Sequence, residues 1–404
     1  MYTEERLRQI ASAFQIRESI DSIKPLGEGL INDTFKIGTK GKNYVLQHIN
    51  TNIFPDVELL QHNIEAVTGH IRKKLEERGE SGIDRKVLEF IRCSDGSGKT
   101  YHRDEDGQCW RVSVFIEDSI THSSVTPEYS RCAGRAFGEF EAMLVDLKEP
   151  IGEVIPNFHC MPLRLEQLRQ AVKADPVRRL RECREMVELA EKYAGEMCKA
   201  ERLHAQGLLP KRICHCDTKV SNVLFNSDGD VLCVIDLDTV MPSFVFSDFG
   251  DFMRTAANPV PEDSPEYDKI DFNMDIYRAF TEGSLSTAKE FLLPVEIENL
   301  PYAARLFAFM QSVRFLCDYI NGDVYYKVSY PEHNYVRARN QMKLFLSATE
   351  KEVDNEKYAF RCFLLRLGFI GDAYKADRKI LLRNLSGSKP PGHSLCFPSR
   401  RCML

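Results

Sequence analysis

The stretch from Ile213 to Asp236 restricts the possible folds of this chain more than any other part of it. Ile213-Cys-His-Cys-Asp-Thr-Lys-Val-Ser-Asn222 is a polar loop, and Val223 to Phe225 and Val231 to Ile235 are short, apolar, β-branched runs separated by Asn226-Ser-Asp-Gly-Asp230. Asp228-Gly229 supplies the positive φ that a tight hairpin needs. A hairpin returns the chain to the end it started from. The loop bearing Asp217 and Asn222 leads into the first strand and Asp236 follows the second, so these side chains should converge. Oxygen-bearing side chains gathered at one point suit a hard cation such as Mg2+, which takes one or two carboxylates and completes its shell with waters and phosphate oxygens.

The order His-x-Asp-x-x-x-x-Asn, hairpin, Asp also meets the needs of phosphoryl transfer. That chemistry is mostly positioning and charge neutralisation: one Asp orients the nucleophilic hydroxyl, while an Asn and a second Asp hold metal against the phosphates. An isolated His-x-Asp is an ordinary turn, and the full constellation carries the specificity. Cys214 and Cys216 form a lone Cys-x-Cys without the second ligand pair of a structural zinc site, so they are expected to be plain thiols.

This pattern resembles the catalytic and metal loops of the protein kinase-like superfamily, in its small-molecule branch of aminoglycoside phosphotransferase and choline kinase-like enzymes. In that branch the second loop lacks Asp-Phe-Gly, and here it reads Ile235-Asp-Leu-Asp-Thr239. Within the branch, Asp236 to Pro242, Ser247 to Arg254, Tyr44 to Phe54, Ile155 to His159, Arg314 to Asp323 and Tyr330 to Arg339 resemble the bacterial N-acetylhexosamine 1-kinases. The likeness runs in order from about residue 20 to about residue 370.

The resemblance implies an α+β, two-lobed protein kinase-like fold, with a small antiparallel-sheet N-terminal lobe over residues 1–118 and a mainly helical C-terminal lobe over 119–384. It implies ATP as co-substrate, Mg2+ as cofactor and a sugar as partner, phosphorylated at the anomeric hydroxyl of N-acetylglucosamine or N-acetylgalactosamine. Asp217 would be catalytic, Asn222 and Asp236 would hold metal, and Arg314 with Tyr325 would hold the hexosamine. His215 would brace the loop, Asp248 would hydrogen-bond it, and Asp238 would stand behind the metal ligands. Two alternatives remain open on the sequence. One is the same fold acting on choline, homoserine or an aminoglycoside; the other is a nucleotide-binding protein without turnover.

The second alternative arises from Gln47. In kinases the third strand ends with a lysine that meets phosphate oxygens, but Tyr44-Val-Leu-Gln47 offers an uncharged amide. The N-acetylhexosamine kinases share this Val-Leu-Gln, so the resemblance favours an active enzyme. Upstream, Ile23 to Ile37 reads as strand, glycine turn, strand, and Lys42 to Ile49 as a third strand. Gly27 and Gly29 allow close backbone approach to an anion, which makes that turn, with Asn32 and Thr34, the candidate cover for the nucleotide phosphates. Asp95-Gly-Ser-Gly-Lys-Thr100 is not a phosphate loop of the Walker type: Cys93 stands where glycine is required and no helical pattern follows, so a hairpin around the glycines is expected. Phe115 and Glu117, after the strand Trp110 to Ile116, fall where kinases join their lobes and are the candidate adenine contacts.

Elsewhere the period is helical: 3–15 (Leu7, Ile10, Phe14), 56–79, 127–147, 162–174, 176–206 and the apolar run Leu300 to Ile320. His204, at the end of one of these, is expected to pack or hydrogen-bond. The tail from Leu385 has the composition of a disordered end. Net charge is −6 with no extended basic run, which speaks against a nucleic-acid partner. Thirteen scattered cysteines suggest reduced thiols. With a polar start and no stretch long enough to span a bilayer, a cytoplasmic protein with no membrane partner is expected.

Overall fold

The computed structural model describes residues 2–27, 32–122 and 125–366, with the backbone alone for 352–366. Gly29 and the tail from Leu385 lie outside these residues.

The chain opens with α1 (Glu4–Ala11), N-capped by Thr3 Oγ1, which accepts from the Arg6 amide at 3.3 Å. This helix is shorter than the expected 3–15. Phe14 leaves it to form a β-bridge with Cys93, yet stays buried with Leu7 and Ile10. Next come β1 (Ile20–Pro25), β2 (Asp33–Thr39), β3 (Tyr44–Ile49), the long α2 (Val57–Glu77), β4 (Tyr101–Arg103) and β5 (Cys109–Val114). The strands form one antiparallel sheet in the order β1-β2-β3-β5-β4. Its register sets Thr34 opposite Gln47 and Gln47 opposite Arg111. Because side chains alternate across a strand, Leu46, Trp110 and Val112 pack on the α1 side, while Thr34, Gln47 and Arg111 share the other face.

The β4–β5 hairpin turns at Asp104–Gly107 and not at Asp95–Gly98 as the glycines suggested. Asp104 decides this: its carboxylate accepts the amides of Asp106 and Gln108 at 3.0 and 2.9 Å and the Trp110 indole N–H at 3.0 Å. The Asp95 loop is a separate turn, closed by the Cys93 amide on the Lys99 carbonyl at 2.7 Å, and no helix follows it.

The second half holds α3 (Pro127–Leu144), α4 (Met161–Ala174), α5 (Leu180–Met197), α6 (Lys199–Ala205), β6 (Arg212–Cys214), β7 (Val223–Phe225), β8 (Val231–Val234), β9 (Met241–Ser243), α7 (Phe246–Ala256), α8 (Met274–Ala288), α9 (Pro294–Glu298), α10 (Leu300–Asn321) and α11 (His333–Arg366). The single helix expected over 176–206 starts at Leu180 and is broken at Cys198. The Tyr302 hydroxyl enters the helical ladder there, donating to the Met197 carbonyl at 2.7 Å and accepting the Ala200 amide at 3.2 Å. Side-chain insertion of this kind breaks a helix without proline or glycine.

Around α10, which is buried along nearly all its length, packs a core that includes Phe137, Phe249, Phe280, Phe309 and Phe345. A second core, with Leu60, Ile64 and Val67 of α2 against Phe140, Met143, Leu237 and Val240, joins the sheet half to the helical half. Helices α3 and α8 approach closely at glycines: a Cβ on Gly283 would stand 2.0 Å from the Arg131 carbonyl oxygen, and one on Gly134 2.4 Å from that of Phe280. This contact places α3 directly behind the Ile213–Asp236 loop. No described helix is long and apolar enough to cross a membrane.

Candidate active site

The β7–β8 hairpin forms as its sequence suggests, with positive φ at Gly229. Its loop is closed by the Asn226 side chain, which accepts the amides of Asp228 and Asp230 at 2.9 and 2.8 Å. At the other end the Ile235 amide donates to the Asn222 carbonyl at 2.9 Å, tying the two arms together. Asp236 then takes a left-handed φ of 62°, an unusual state for a residue with a Cβ and a mark of a constrained site. Asn222 Nδ2 donates to the Asp217 carbonyl at 2.8 Å, and its Oδ1 takes no hydrogen bond among the described residues. Lys219 Nζ reaches both oxygens of Asp217, at 2.7 and 2.9 Å. Lys219 was missed in the sequence, although a lone lysine between two acids of a polar loop was signal enough to include it.

His215 braces the loop through both ring nitrogens. The Asp217 amide donates to Nδ1 at 3.3 Å, and Nε2 lies 2.8 Å from the Ile235 carbonyl, a pair that fits the neutral Nε2–H tautomer. Its ring meets the edges of Phe137 and Phe140 on α3. Asp248 hydrogen-bonds the loop as the resemblance implied, accepting the amides of His215 and Cys216 at 2.8 and 2.7 Å. The Asp248 carbonyl takes the Thr218 hydroxyl at 2.6 Å. Behind these, Glu141, Cys214 and Asp248 present buried ligand atoms within 4.8 Å of one another. Burial pushes the Glu141 carboxyl well up, with the Asp248 charge adding to it, and burial does the same to the Cys214 thiol. Both shifts favour the protonated forms of Glu141 and Cys214. His204 Nδ1 meets the Leu209 carbonyl at 2.7 Å, a structural contact.

The electrostatics divide the two acids. Burial works to raise the Asp217 carboxyl, but Lys219 and Arg254 outweigh it and hold the group below the usual carboxylate range. Asp236 makes no ion pair among the described residues, and the Lys219 charge offsets its neighbours only in part. Crowding by protein, together with the negative charges of Asp238 and Asp217, pushes it up to about 6, although its side chain opens to the cleft, where solvent tempers the effect. Converging acids with one member only partly compensated fit a divalent cation, which would be held by Asn222 Oδ1 and the Asp236 carboxylate.

On the sheet side, Asn32 is committed: Nδ2 donates to Asp238 Oδ2 at 2.6 Å, and Oδ1 accepts the Asn50 amide at 3.0 Å. Thr34 Oγ1 accepts from Gln47 Nε2 at 3.3 Å. Gln47 Oε1 accepts from Arg111 Nε at 3.0 Å, and Arg111 Nη2 lies 2.5 Å from Asp238 Oδ1. Asp238 is thus shared between Asn32 and Arg111. Gly27 has φ 70°, a left-handed backbone that glycine adopts without a Cβ penalty. The Phe115 amide is spent on the Asn43 carbonyl at 2.9 Å, and the Glu117 carbonyl accepts Arg85 Nη2 at 3.0 Å. The Glu117 amide has no hydrogen-bond partner among the described residues. Glu58 and Glu65 of α2 turn toward Tyr101 and Thr100, away from the acids.

On the other side of the loop, Arg314 of α10 lies over the rings of Phe158, Tyr325 and Tyr326, at 5.3, 6.0 and 5.6 Å from their centroids. It donates to Gln311 Oε1 at 3.1 Å and has no acidic partner among the described residues. Tyr325 is exposed, whereas its neighbour Tyr326, not singled out in the sequence, is the enclosed one and takes Gln311 Nε2 at 3.2 Å. The loop carrying them is held by Asp318, whose carboxylate accepts the amides of Val324, Tyr325 and Tyr326 at 3.0, 2.8 and 2.9 Å. His159 stacks on Phe158, and Arg164 Nη2 donates to the Phe158 carbonyl at 2.7 Å. Burial, with the charges of Arg314, Arg254 and Arg164, keeps the His159 imidazole neutral by lowering it well below its usual value.

The model of the phosphotransferase enzyme family matches residues 22–280. Among solved structures, the chain is similar to spectinomycin phosphotransferase in complex with ADP and spectinomycin (TM-score 0.50, 12% identity, 85% of this chain and 94% of that one). It is also similar to a putative aminoglycoside phosphotransferase from Ralstonia eutropha (TM-score 0.50, 13% identity, 85% and 97%). At such identities the structures speak for the fold, and the family match, covering well over half of the chain, speaks for membership. The chain belongs to the phosphotransferase enzyme family.

Proposed function

We propose that this enzyme transfers the γ-phosphoryl of ATP to the anomeric hydroxyl of an N-acetylhexosamine, N-acetylglucosamine or N-acetylgalactosamine, giving the sugar 1-phosphate. The observation that carries the choice of acceptor is Arg314, set among three aromatic rings without an acid to neutralise it. An arginine in that setting donates in a fork to hydroxyls or an amide carbonyl, and aromatic faces suit the C–H face of a sugar ring. With Arg164 close by, the unneutralised Arg314 disfavours a cationic acceptor such as choline or an aminoglycoside.

In this mechanism the ionised Asp217 accepts the proton of the attacking hydroxyl and orients it. Lys219, already on both of its oxygens, would keep that carboxylate charged and lie close to the transferring phosphoryl. A magnesium ion held by Asn222 and Asp236 would offset the phosphate charge. Gly27 and its turn would cover the phosphates, and the Glu117 amide would meet the adenine.

ADP release measured with Mg-ATP against hexosamines, choline, homoserine and aminoglycosides tests the reading. Turnover confined to N-acetylhexosamines is expected, and Asp217→Asn should remove nearly all of it. Turnover only with a cationic alcohol would refute the acceptor assignment.

A further inference from the structure

Gln47 occupies the β3 position from which kinases present a lysine, so the phosphates need a cation from elsewhere. We propose that Arg111, on the neighbouring strand β5, is that cation, with Gln47 and Asp238 as the residues that aim it. The register places Arg111 directly opposite Gln47, on the sheet face shared with Thr34. Its guanidinium is fixed at two points, Nε on Gln47 Oε1 at 3.0 Å and Nη2 against Asp238 Oδ1 at 2.5 Å, with the Phe90 ring 5.5 Å from its centre. The remaining Nη1 is buried and has no partner among the described residues. A buried donor left unmade costs free energy, and a fixed guanidinium with one spare pair of N–H groups is prepared for an anion.

Asp238 sits in the short turn Leu237–Thr239 that Asp236 opens. Arg111 therefore stands on the same side of the cleft as the candidate metal ligands. Lys36 of β2 is otherwise engaged: it lies 3.5 Å over the Phe115 ring and 3.9 Å from Glu117. Gln47 also has a positive reason to be an amide. Its Oε1 must accept from Arg111 while its Nε2 donates to Thr34, and a lysine at 47 would repel the guanidinium it now supports. The positive charge has moved one strand across the sheet, with its amount unchanged.

The assignment rests on reading the cleft as an ATP site, and nucleotide binding without acceptor separates the two. Affinities for AMP, ADP and a non-hydrolysable ATP analogue, each with Mg2+, are compared in wild type, Arg111→Met and Arg111→Met/Gln47→Lys. Arg111→Met should hold AMP within twofold of wild type and weaken the triphosphate analogue at least tenfold, with ADP between. Returning a charge to β3 in the double variant should recover part of the loss. Because Arg111→Met leaves the Asp238 carboxylate buried and uncompensated, Arg111→Gln/Asp238→Asn carries the same test as a neutral pair. An equal loss for all three nucleotides in a folded variant, or no loss at all, overturns the assignment alone. Wild-type protein that binds none of them overturns the ATP site and the assignment together.

Discussion

Replacing Asp248 by Asn probes how the fold holds the Ile213–Asp236 loop. The carboxylate accepts two buried backbone amides, from His215 and Cys216, at 2.8 and 2.7 Å. Hydrogen bonds to a charged acceptor are worth about 1.5–3 kcal/mol each. Asparagine keeps one acceptor oxygen but turns an N–H toward the other backbone N–H, so it loses one bond outright and weakens the second. The cost should be about 2–4 kcal/mol, toward the lower end because the neighbouring Glu141 shares its proton with Asp248 and spreads the charge. Urea unfolding monitored by the single tryptophan and by circular dichroism gives that number. In the folded fraction the released loop should carry Asp217 out of line, and a displacement of about 1 Å can cost on the order of 100-fold in rate. A variant within about 0.5 kcal/mol of wild type, the ordinary spread for surface changes, and with kcat unchanged would show that Asp248 does not hold the loop.

Other consequences follow from the same coordinates. Gly283→Ala gains about 1 kcal/mol of helix propensity, but its methyl would stand 2.0 Å from a backbone oxygen of α3; overpacking should prevail by about 1–3 kcal/mol. Gly195→Ala, in α5 with nothing near its Cβ position, should instead stabilise by up to about 1 kcal/mol, and like signs in thermal melts would contradict the packing described. Glu141 has a raised folded-state pKa, so the stability from its proton is full below the ordinary 4.5 and is lost as pH rises toward the folded value. Melting temperature should therefore fall with rising pH above that point, and Glu141→Gln, which stays neutral, should flatten the fall; parallel profiles would show that Glu141 is ionised in the fold. Arg314→Met should raise KM for the sugar by roughly 10–100-fold, the worth of a charged hydrogen bond, while KM for ATP moves less than twofold. A change confined to the ATP parameter would remove Arg314 from the acceptor side.

Much of this was legible in the sequence because the decisive contacts are local. The β-branched runs and the Asn226–Asp230 turn fixed the hairpin, and the hairpin brought Asn222 and Ile235 together. The helices of the second half showed their period because each buries one face. What stayed hidden depends on partners far away in the chain. Gly195 is the one local hint near Cys198, and the Tyr302 hydroxyl that causes the break comes from α10. The glycines at 96 and 98 drew attention from Asp104, whose side chain sets the real hairpin turn. Arg111 read as a strand residue, and only the register of β3 against β5 puts it beside Gln47. Tyr325 and Tyr326 are alike in sequence, and only packing against Arg314 and Gln311 tells the enclosed ring from the exposed one.

The central claim is that Asp217 directs the phosphoryl group to an anomeric hydroxyl. Phosphorus NMR of the product formed from Mg-ATP and N-acetylglucosamine or N-acetylgalactosamine tests it most directly. The account predicts a new phosphomonoester resonance split by the anomeric proton in wild type and absent in Asp217→Asn. A phosphorylated product whose phosphorus shows no coupling to the anomeric proton, or one that still forms without the Asp217 carboxylate, would contradict it.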